Sequence, residues 1–331
     1  MAQTVRYPLL FQPIFKRKLW GGRHLETVLG KELPPSVQIG ESWEISGHPK
    51  ETSVVREGPM AGKTLRELLG TELLGPRFAS AKRFPLLLKY LDACDFLSIQ
   101  VHPSDELAKR FGETDPGKHE AFYVLWAEAG AKLLRGVKPG VTRDDFAMAT
   151  RENRVEECVN WVPLAAGDVI PIPPGTLHTV GGGVLLAEIE QTSDCTYRVF
   201  DWNRLGSDGK PREIHMEKAL EAIDFSPATR GPDKVEPRLL KENGYQQFLL
   251  YACDKFVMEL FEIPAGSKVD QWRDVFSTYM VLEGLARFVH GGCSVQADKG
   301  DSVLMPAAIG HFQIRAPDKS PLRILKAAPP K

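Results

Sequence analysis

The chain has 331 residues, with 42 Lys and Arg against 43 Asp and Glu, a formal net charge of −1, 43% hydrophobic residues and 26% charged residues. This balance is typical of a globular protein long enough for two domains, and it lacks the basic surplus that nucleic-acid binding requires. The sequence has neither a long apolar run nor a secretory leader, and its five cysteines are scattered. We therefore expect a cytoplasmic protein without a nucleic-acid or membrane partner.

The first 160 residues combine short strands with two helical insertions. Residues 64–80 are predicted to be helical, because Thr64 and Glu67 have the spacing of a capping box. Residues 86–102 contain two apolar runs on either side of a charged turn, which predicts two buried strands. The second helical insertion is predicted over residues 142–160, where a threonine stands at the N-cap position.

From Trp161 onward, short strands separated by Gly and Pro predominate, which is typical of a β-sandwich or barrel. Residues 165–180 and 298–314 share a Gly-Asp turn, a hydrophobic strand, a proline and then a histidine. This pattern resembles the second motif of the cupin superfamily. The resemblance implies a mainly β fold with helical segments, built as a tandem cupin in which each unit is a jelly-roll β-barrel.

The two barrels are expected to differ in role. The charged, proline-containing stretch 228–244 is the candidate linker, which gives a catalytic domain over residues 1–240 and a cupin-like domain over residues 241–331. In the second repeat, His311 matches His178 of the first, but residues 268–284 ahead of it contain no histidine. We therefore expect a degenerate second barrel without a metal site.

Three short motifs carry candidate ligands for a divalent metal. If residues 100–102 and 118–120 are extended, the first and third side chains of each triplet share a face. His178 adds a second imidazole. Two imidazoles, a carboxylate and an amide oxygen suit zinc with an open position, as in catalytic rather than structural sites. The residue pattern leaves open whether the metal ligand from residues 118–120 is Glu120 or His119.

Five longer segments extend these motifs: KRKLWGG at 16–22, GESWEISGHP at 40–49, LLLKYLDACDFLSIQVHPSDELA at 86–108, GKHEAFYVL at 117–125 and PIPPGTLHTVGGGVLLAEIEQTSDCTYRVFDWNR at 171–204. Together they resemble the type I phosphomannose isomerases, in the form of the short bacterial branch. The resemblance covers almost the whole chain, in order and at fitting spacings. It implies a metal-dependent aldose–ketose isomerase that interconverts mannose 6-phosphate and fructose 6-phosphate through a cis-enediol.

The resemblance also implies residue roles. The ligands of one Zn²⁺ per chain are expected to be Gln100, His102, Glu120 and His178. The catalytic residues are expected to be Arg198, Glu188 and Lys118. The substrate, a sugar phosphate, is expected to contact Lys89, Ser98, Lys118 and Trp20. For Trp20 and Trp43, beside Gly-rich turns, ordinary core packing is the alternative role.

Several alternatives stay open at this point. The proton shuttle is Glu188, Lys118, a metal-ordered water or His48, and Arg198 stabilises either the enediolate or the phosphate. Zinc, manganese and cobalt are all compatible with the ligands, and the protein is expected to be a monomer or homodimer. The competing functions are a different metal-dependent cupin enzyme, such as an iron or manganese oxygenase, and a non-enzymatic sugar-binding cupin.

Overall fold

The computed structural model describes residues 5–206, 209–226 and 231–330. Its architecture is mainly β, as the sequence predicts. The first twelve strands are β1 Leu9–Leu10, β2 Ile14–Gly22, β3 Ile39–Ser46, β4 Leu86–Ala93, β5 Ile99–Val101, β6 Glu120–Ala127, β7 Lys132–Val137, β8 Val159–Pro163, β9 Val169–Ile172, β10 His178–Val180, β11 Val184–Gln191 and β12 Tyr197–Phe200. The others are β13 Arg238–Glu242, β14 Gln246–Ala252, β15 Val257–Ile263, β16 Lys268–Trp272, β17 Ser277–Glu283, β18 Leu285–His290, β19 Cys293–Asp298, β20 Ser302–Met305, β21 His311–Arg315 and β22 Leu322–Ala328.

The helices between these strands are short. They are α1 His24–Thr27, α2 Thr71–Leu74, α3 Asp105–Arg110, α4 Arg143–Arg151 and α5 Met216–Ala222, with 3₁₀ turns at Leu65–Leu68, Pro76–Phe78, Val155–Cys158 and Ala307–Ile309. No helix among the described residues is both long enough and apolar enough to cross a membrane.

Both predicted helical insertions are shorter than expected. The Thr64 capping box forms, but residues 64–80 make three separate turns, because Gly70 and Gly75 adopt positive φ and break the helix. In the second insertion the helix ends at Arg151, and β8 begins at Val159, within the range that we predicted to be helical. There Asn153 takes a left-handed conformation that ends the helical run.

Four antiparallel sheets stack in layers. We number them along the stack: the first has the strand order β12-β5-β10-β7-β8, the second β2-β3-β4-β11-β6-β9, the third β1-β20-β17-β22-β15-β14-β13 and the fourth β16-β21-β18-β19. One apolar core separates each neighbouring pair of sheets, and a further core lies between the first sheet and helices α4 and α5. Each large apolar side chain buried in these cores contributes about 1.5–3 kcal/mol.

The first and second sheets with their helices form the N-terminal unit, and the third and fourth sheets form the C-terminal unit. The chain passes between the two units twice. It leaves the third sheet after β1, where Leu9 pairs with Leu304 of β20, and returns to that sheet at β13. The proposed boundary after residue 240 lies within β13, which pairs with β14 of the third sheet. Residues 228–230 of the candidate linker lie outside the described residues.

Candidate active site and metal centre

A cavity of about 250 Å³ lies between the first and second sheets. In the first sheet, Gln100 of β5 pairs with both His178 of β10 and Arg198 of β12. In the second sheet, Glu188 of β11 stands opposite Lys89 of β4. Since facing sheets direct alternate side chains toward each other, these two rows converge on the cavity.

Three of the predicted metal ligands meet at one end of the cavity. The ligand atoms of His102, Glu120 and His178 lie within 4.8 Å of one another, and all three residues are buried. The Glu120 Oε1 atom is 3.1 Å from His178 Nε2 and 3.5 Å from His102 Nε2. The side-chain amide nitrogen of Gln100 lies 3.3 Å from His178 Nε2.

The hydrogen bonds of the two imidazoles show that this group fits a cation. The Nδ1 atom of His102 lies 3.0 Å from the carbonyl oxygen of Cys195, and that of His178 lies 2.9 Å from the carbonyl oxygen of Thr176. Each Nδ1 therefore carries the proton and donates it, which leaves both Nε2 lone pairs directed at the Glu120 carboxylate. Buried lone pairs that face one another repel unless a proton or a metal lies between them.

The ionisation of the ligands supports the same conclusion. Burial, followed by the nearby Lys118 ammonium, lowers the pKa of His102 to about 4, so its imidazole is neutral at pH 7. Burial alone would raise the pKa of Glu120, but Lys118 and His102 outweigh it and hold that pKa well below the usual range. A neutral imidazole and an ionised carboxylate are the forms that bind metals.

Beside the metal ligands lies a buried cluster of alternating charges. The Lys118 Nζ atom is 2.7 Å from Glu120 Oε2, 3.2 Å from Glu188 Oε1 and 2.6 Å from Glu190 Oε2. The Nζ atom of Lys89 is 2.7 Å from Glu190 Oε1. Burial would lower the pKa of Lys118, but the three carboxylates raise it well above its ordinary value. Burial, and then repulsion by Glu190, raises the pKa of Glu188 well above that of an ordinary carboxyl.

The first sheet contributes a different kind of cation to the cavity, on the strand beside Gln100. Arg198 donates from Nε to Ser98 Oγ at 3.3 Å and from Nη1 to the Glu213 carbonyl at 2.8 Å, and among the described residues it forms no ion pair. Burial, with Arg212 nearby, lowers its pKa, although a guanidinium remains charged. Trp20 lines the cavity while most of its ring is buried in the core between the first two sheets.

Other residues at the cavity were not predicted from the sequence: Lys18, Glu41, Glu190, Asp194, Thr196 and Arg212. Glu190 could have been found, because it follows Glu188 by two positions on one strand and so shares its face. Burial alone would raise the pKa of Glu41, but Lys18 and Lys89 lower it to about 2.

Three residues considered from the sequence lie away from the metal ligands. His48 is buried beside Asp115, with its Nε2 atom 3.0 Å from Oδ2. His119 faces the third sheet, where its Nε2 atom lies 2.8 Å from Tyr251 Oη. His311, the counterpart of His178 in the second repeat, is exposed on β21 and pairs with Asp270 at 3.2 Å.

Comparisons with known proteins identify relatives over more than nine-tenths of the chain. The family model of the phosphomannose isomerase type I catalytic domain matches residues 9–121. The probable mannose-6-phosphate isomerase GmuF of Bacillus subtilis is 35% identical over 93% of this chain and 96% of its own length. The B. subtilis mannose-6-phosphate isomerase ManA is 32% identical over 93% and 95%. The crystal structure of the mannose 6-phosphate isomerase from B. subtilis superimposes with a TM-score of 0.87 at 31% identity, covering 97% of this chain and 99% of that chain.

Proposed function

The chain belongs to the type I phosphomannose isomerase family, and from this premise we propose that it interconverts mannose 6-phosphate and fructose 6-phosphate. The observation that carries the proposal is the convergence on one cavity of an imidazole–carboxylate group, a carboxyl of raised pKa and an arginine that has no ion-pair partner within the described part of the chain. Aldose–ketose isomerisation needs all three functions: polarisation of the sugar, proton transfer and recognition of the phosphate.

We assign one zinc ion to His102, His178, Glu120 and Gln100. Both imidazoles present Nε2, and a half-turn of the Gln100 carboxamide directs its oxygen toward the same point. Mixed nitrogen and oxygen donors with room for substrate suit zinc in a catalytic site. When bound, the ion supplies Lewis-acid polarisation of the sugar oxygens.

We assign the proton transfer to Glu188. In the open-chain aldose the C2 proton passes to the carboxylate and returns at C1, while a hydroxyl proton moves from O2 to O1, so the sugar formula is unchanged. Burial and Glu190 raise the pKa of Glu188 well above that of an ordinary carboxyl, and a carboxylate of higher pKa is a stronger general base. Lys118, 3.2 Å from Glu188, stabilises the negative charge that develops on the enediolate.

We assign the phosphate to Arg198 and Ser98. Lys89 and Lys118 both pair with Glu190, at 2.7 Å or less, whereas Arg198 forms no ion pair among the described residues. A guanidinium also binds phosphate through two parallel hydrogen bonds. Lys89 and Lys118 therefore contact the reacting end of the sugar, and the exposed edge of the Trp20 ring forms one wall.

We infer a cytoplasmic enzyme that acts as a monomer or a homodimer, without a nucleic-acid or membrane partner. All five cysteines are free thiols, which suits a reducing compartment. The near-zero net charge of −1 gives no reason to expect a polyanionic partner.

The test is a coupled assay that follows fructose 6-phosphate from mannose 6-phosphate. We expect chelation to abolish turnover, zinc to restore it, and His178→Ala to lack both activity and the bound ion. His311→Ala is the matched control, because it removes the corresponding histidine of the second repeat from an exposed position. Absence of turnover by protein with a confirmed equivalent of zinc would exclude the isomerase and favour the sugar-binding or oxygenase cupin.

A further inference from the structure

The segment that carries Lys118 and Glu120 has two working faces. Lys118, Glu120 and Phe122 line the cavity. The intervening side chains point away from it: Ala121 and Tyr123 belong to the core shared with the third sheet. Because residues alternate along a strand, a movement of one face displaces the other by a similar amount. Contacts on the outer face therefore set the position of the catalytic side chains.

The C-terminal unit holds this outer face through the turn that joins β14 to β15. We call residues 251–256 the docking turn. Tyr251 Oη lies 2.8 Å from His119 Nε2, and the imidazole also packs against the rings of Tyr251 and Phe256 at 5.8 and 5.9 Å between centroids. His119 stands between the two cavity residues Lys118 and Glu120 in the sequence, so the docking turn contacts the segment at its centre.

The docking turn also reaches the backbone of the same segment. Lys255 Nζ lies 2.8 Å from Asp105 Oδ2, and Asp105 Oδ1 accepts hydrogen bonds from the Gly117 N–H and from Gln191 Nε2. The Gln191 Oε1 atom in turn accepts from the His119 N–H at 2.9 Å. The backbone on both sides of Lys118 is thus tied to one cation of the C-terminal unit.

A third contact lies further along β6. Arg323 of β22 donates from Nη2 to Tyr123 Oη at 2.7 Å. None of the His, Cys, Asp and Glu groups able to hold a metal lies wholly within the C-terminal unit, as far as the chain is described. One such group joins His119 to Cys253 and Asp254 of the docking turn, so the C-terminal unit meets the segment through side chains that contact His119, Asp105 and Tyr123.

We propose that the C-terminal unit is a positioning element for the metal-ligand segment, in which Tyr251 and Lys255 fix Lys118 and Glu120 through His119 and Asp105. The inference rests on the proposed isomerase function for its kinetic consequences. Its consequence for metal affinity is independent of any substrate, because Glu120 is a ligand whether or not the protein turns over a sugar. Hydrogen bonds made to the ligands themselves typically contribute about 10- to 100-fold to metal affinity, and we expect the lower end of that range here because Tyr251 contacts the neighbour of a ligand.

The central experiment compares Tyr251→Phe with Tyr279→Phe. Tyr279 is the matched control, because its hydroxyl lies 3.4 Å from Ser277 Oγ in the core between the third and fourth sheets, away from β6. Zinc affinity is measured by competition with a chelator. The values of kcat and KM are measured with mannose 6-phosphate, and Tm is measured by calorimetry. We expect Tyr251→Phe to weaken zinc binding about tenfold and to lower kcat at nearly unchanged KM. The control should lose at least as much in Tm while retaining zinc affinity and kcat.

A double variant tests the route of the effect. If Tyr251 acts through His119, then His119→Ala with Tyr251→Phe binds zinc no more weakly than His119→Ala alone. Wild-type zinc affinity in Tyr251→Phe, or losses that multiply in the double variant, would overturn the proposal. A wild-type protein that binds zinc but turns over no sugar would refute the proposed function alone, and the zinc measurements would still decide the positioning role.

Discussion

The substitution Glu190→Gln tests how the buried charge cluster controls the proposed general base. Glu190 is fully buried, and its two carboxylate oxygens contact Lys89 at 2.7 Å and Lys118 at 2.6 Å. Glutamine keeps the shape of the side chain and removes its charge. The perturbation therefore leaves packing intact while it takes one negative charge from a cluster of three carboxylates and two ammonium groups.

The expected loss of stability follows from the remaining pairs. Removing one partner of a buried ion pair typically destabilises a protein by about 3–5 kcal/mol. Here Lys118 keeps Glu120 at 2.7 Å, and Lys89 keeps Glu188 at 3.8 Å, so we expect a smaller loss in the free energy of unfolding, of about 2–3 kcal/mol. Glu188 also loses its repulsive neighbour, which lowers its pKa toward that of an ordinary carboxyl.

The kinetic consequence has a definite sign. A general base must be deprotonated to act, so a lower pKa of Glu188 moves the acidic limb of the kcat profile to lower pH. The weaker base also lowers the plateau, by about tenfold if proton transfer limits the rate. We would measure the urea unfolding of the zinc-loaded protein and the pH dependence of kcat. The kcat profile would run from about pH 5 to about pH 9, because side-chain general bases operate around neutrality.

Glu259→Gln is the matched control for this experiment. It removes a carboxylate that lies 2.7 Å from the buried Lys326 in the C-terminal unit, so it should lower stability without changing the kcat profile. A Glu190→Gln enzyme with the wild-type acidic limb and plateau would refute the coupling between Glu190 and Glu188. Wild-type stability would refute the calculation from the ion pairs.

Three further predictions concern the same site. Folding lowers the pKa of Glu41 from about 4.5 to about 2, so its contribution to stability is complete above pH 4.5 and is lost as the pH falls toward 2. In denaturant titrations, Glu41→Gln should therefore lower the free energy of unfolding by about 3 kcal/mol at pH 7, and by about 1–2 kcal/mol less than that at pH 3.5. Gly117→Ala places a Cβ 2.4 Å from the backbone nitrogen of Asp105, and calorimetry should show a loss of more than about 2 kcal/mol together with weaker zinc binding. Arg198→Lys should raise KM for mannose 6-phosphate about tenfold through loss of the bidentate fork; a lowered kcat at unchanged KM would instead assign Arg198 to the enediolate.

Part of the first sheet's contribution to the site follows from local pattern. Alternation along an extended segment predicts that Gln100 and His102 share a face, whereas the meeting of Gln100 with His178 depends on the pairing of β5 with β10 and was expected only from the family resemblance. Alternation along β11 places Glu190 on the face of Glu188, but the position of Glu41 at the cavity depends on the register of β3 against β4, and the meeting of Glu188 with Lys89 depends on that of β11 against β4. Such registers are long-range properties that no local spacing encodes.

The helical insertions also show that local sequence patterns do not determine long-range structure. The capping box at Thr64 is a local device and forms as predicted, yet the helix it begins stops within one turn at glycines with positive φ. Local signals therefore predict where an element begins more reliably than how far it extends, because its extension depends on packing partners elsewhere in the chain.

His119 illustrates why a motif can be read correctly and still be incomplete. The alternatives at positions 119 and 120 reflect the two faces of one strand, and only the facing sheets decide which side chain meets the metal ligands and which meets Tyr251. A tandem arrangement gives such a strand a partner on each side. The N-terminal unit can then keep a polar, open cavity on one face, since the apolar core and hydrogen bonds that hold the strand in place are supplied on the other face by the C-terminal unit. A strand with charged side chains on one face takes its rigidity from the other face, and for β6 the C-terminal unit supplies the packing and the hydrogen bonds there.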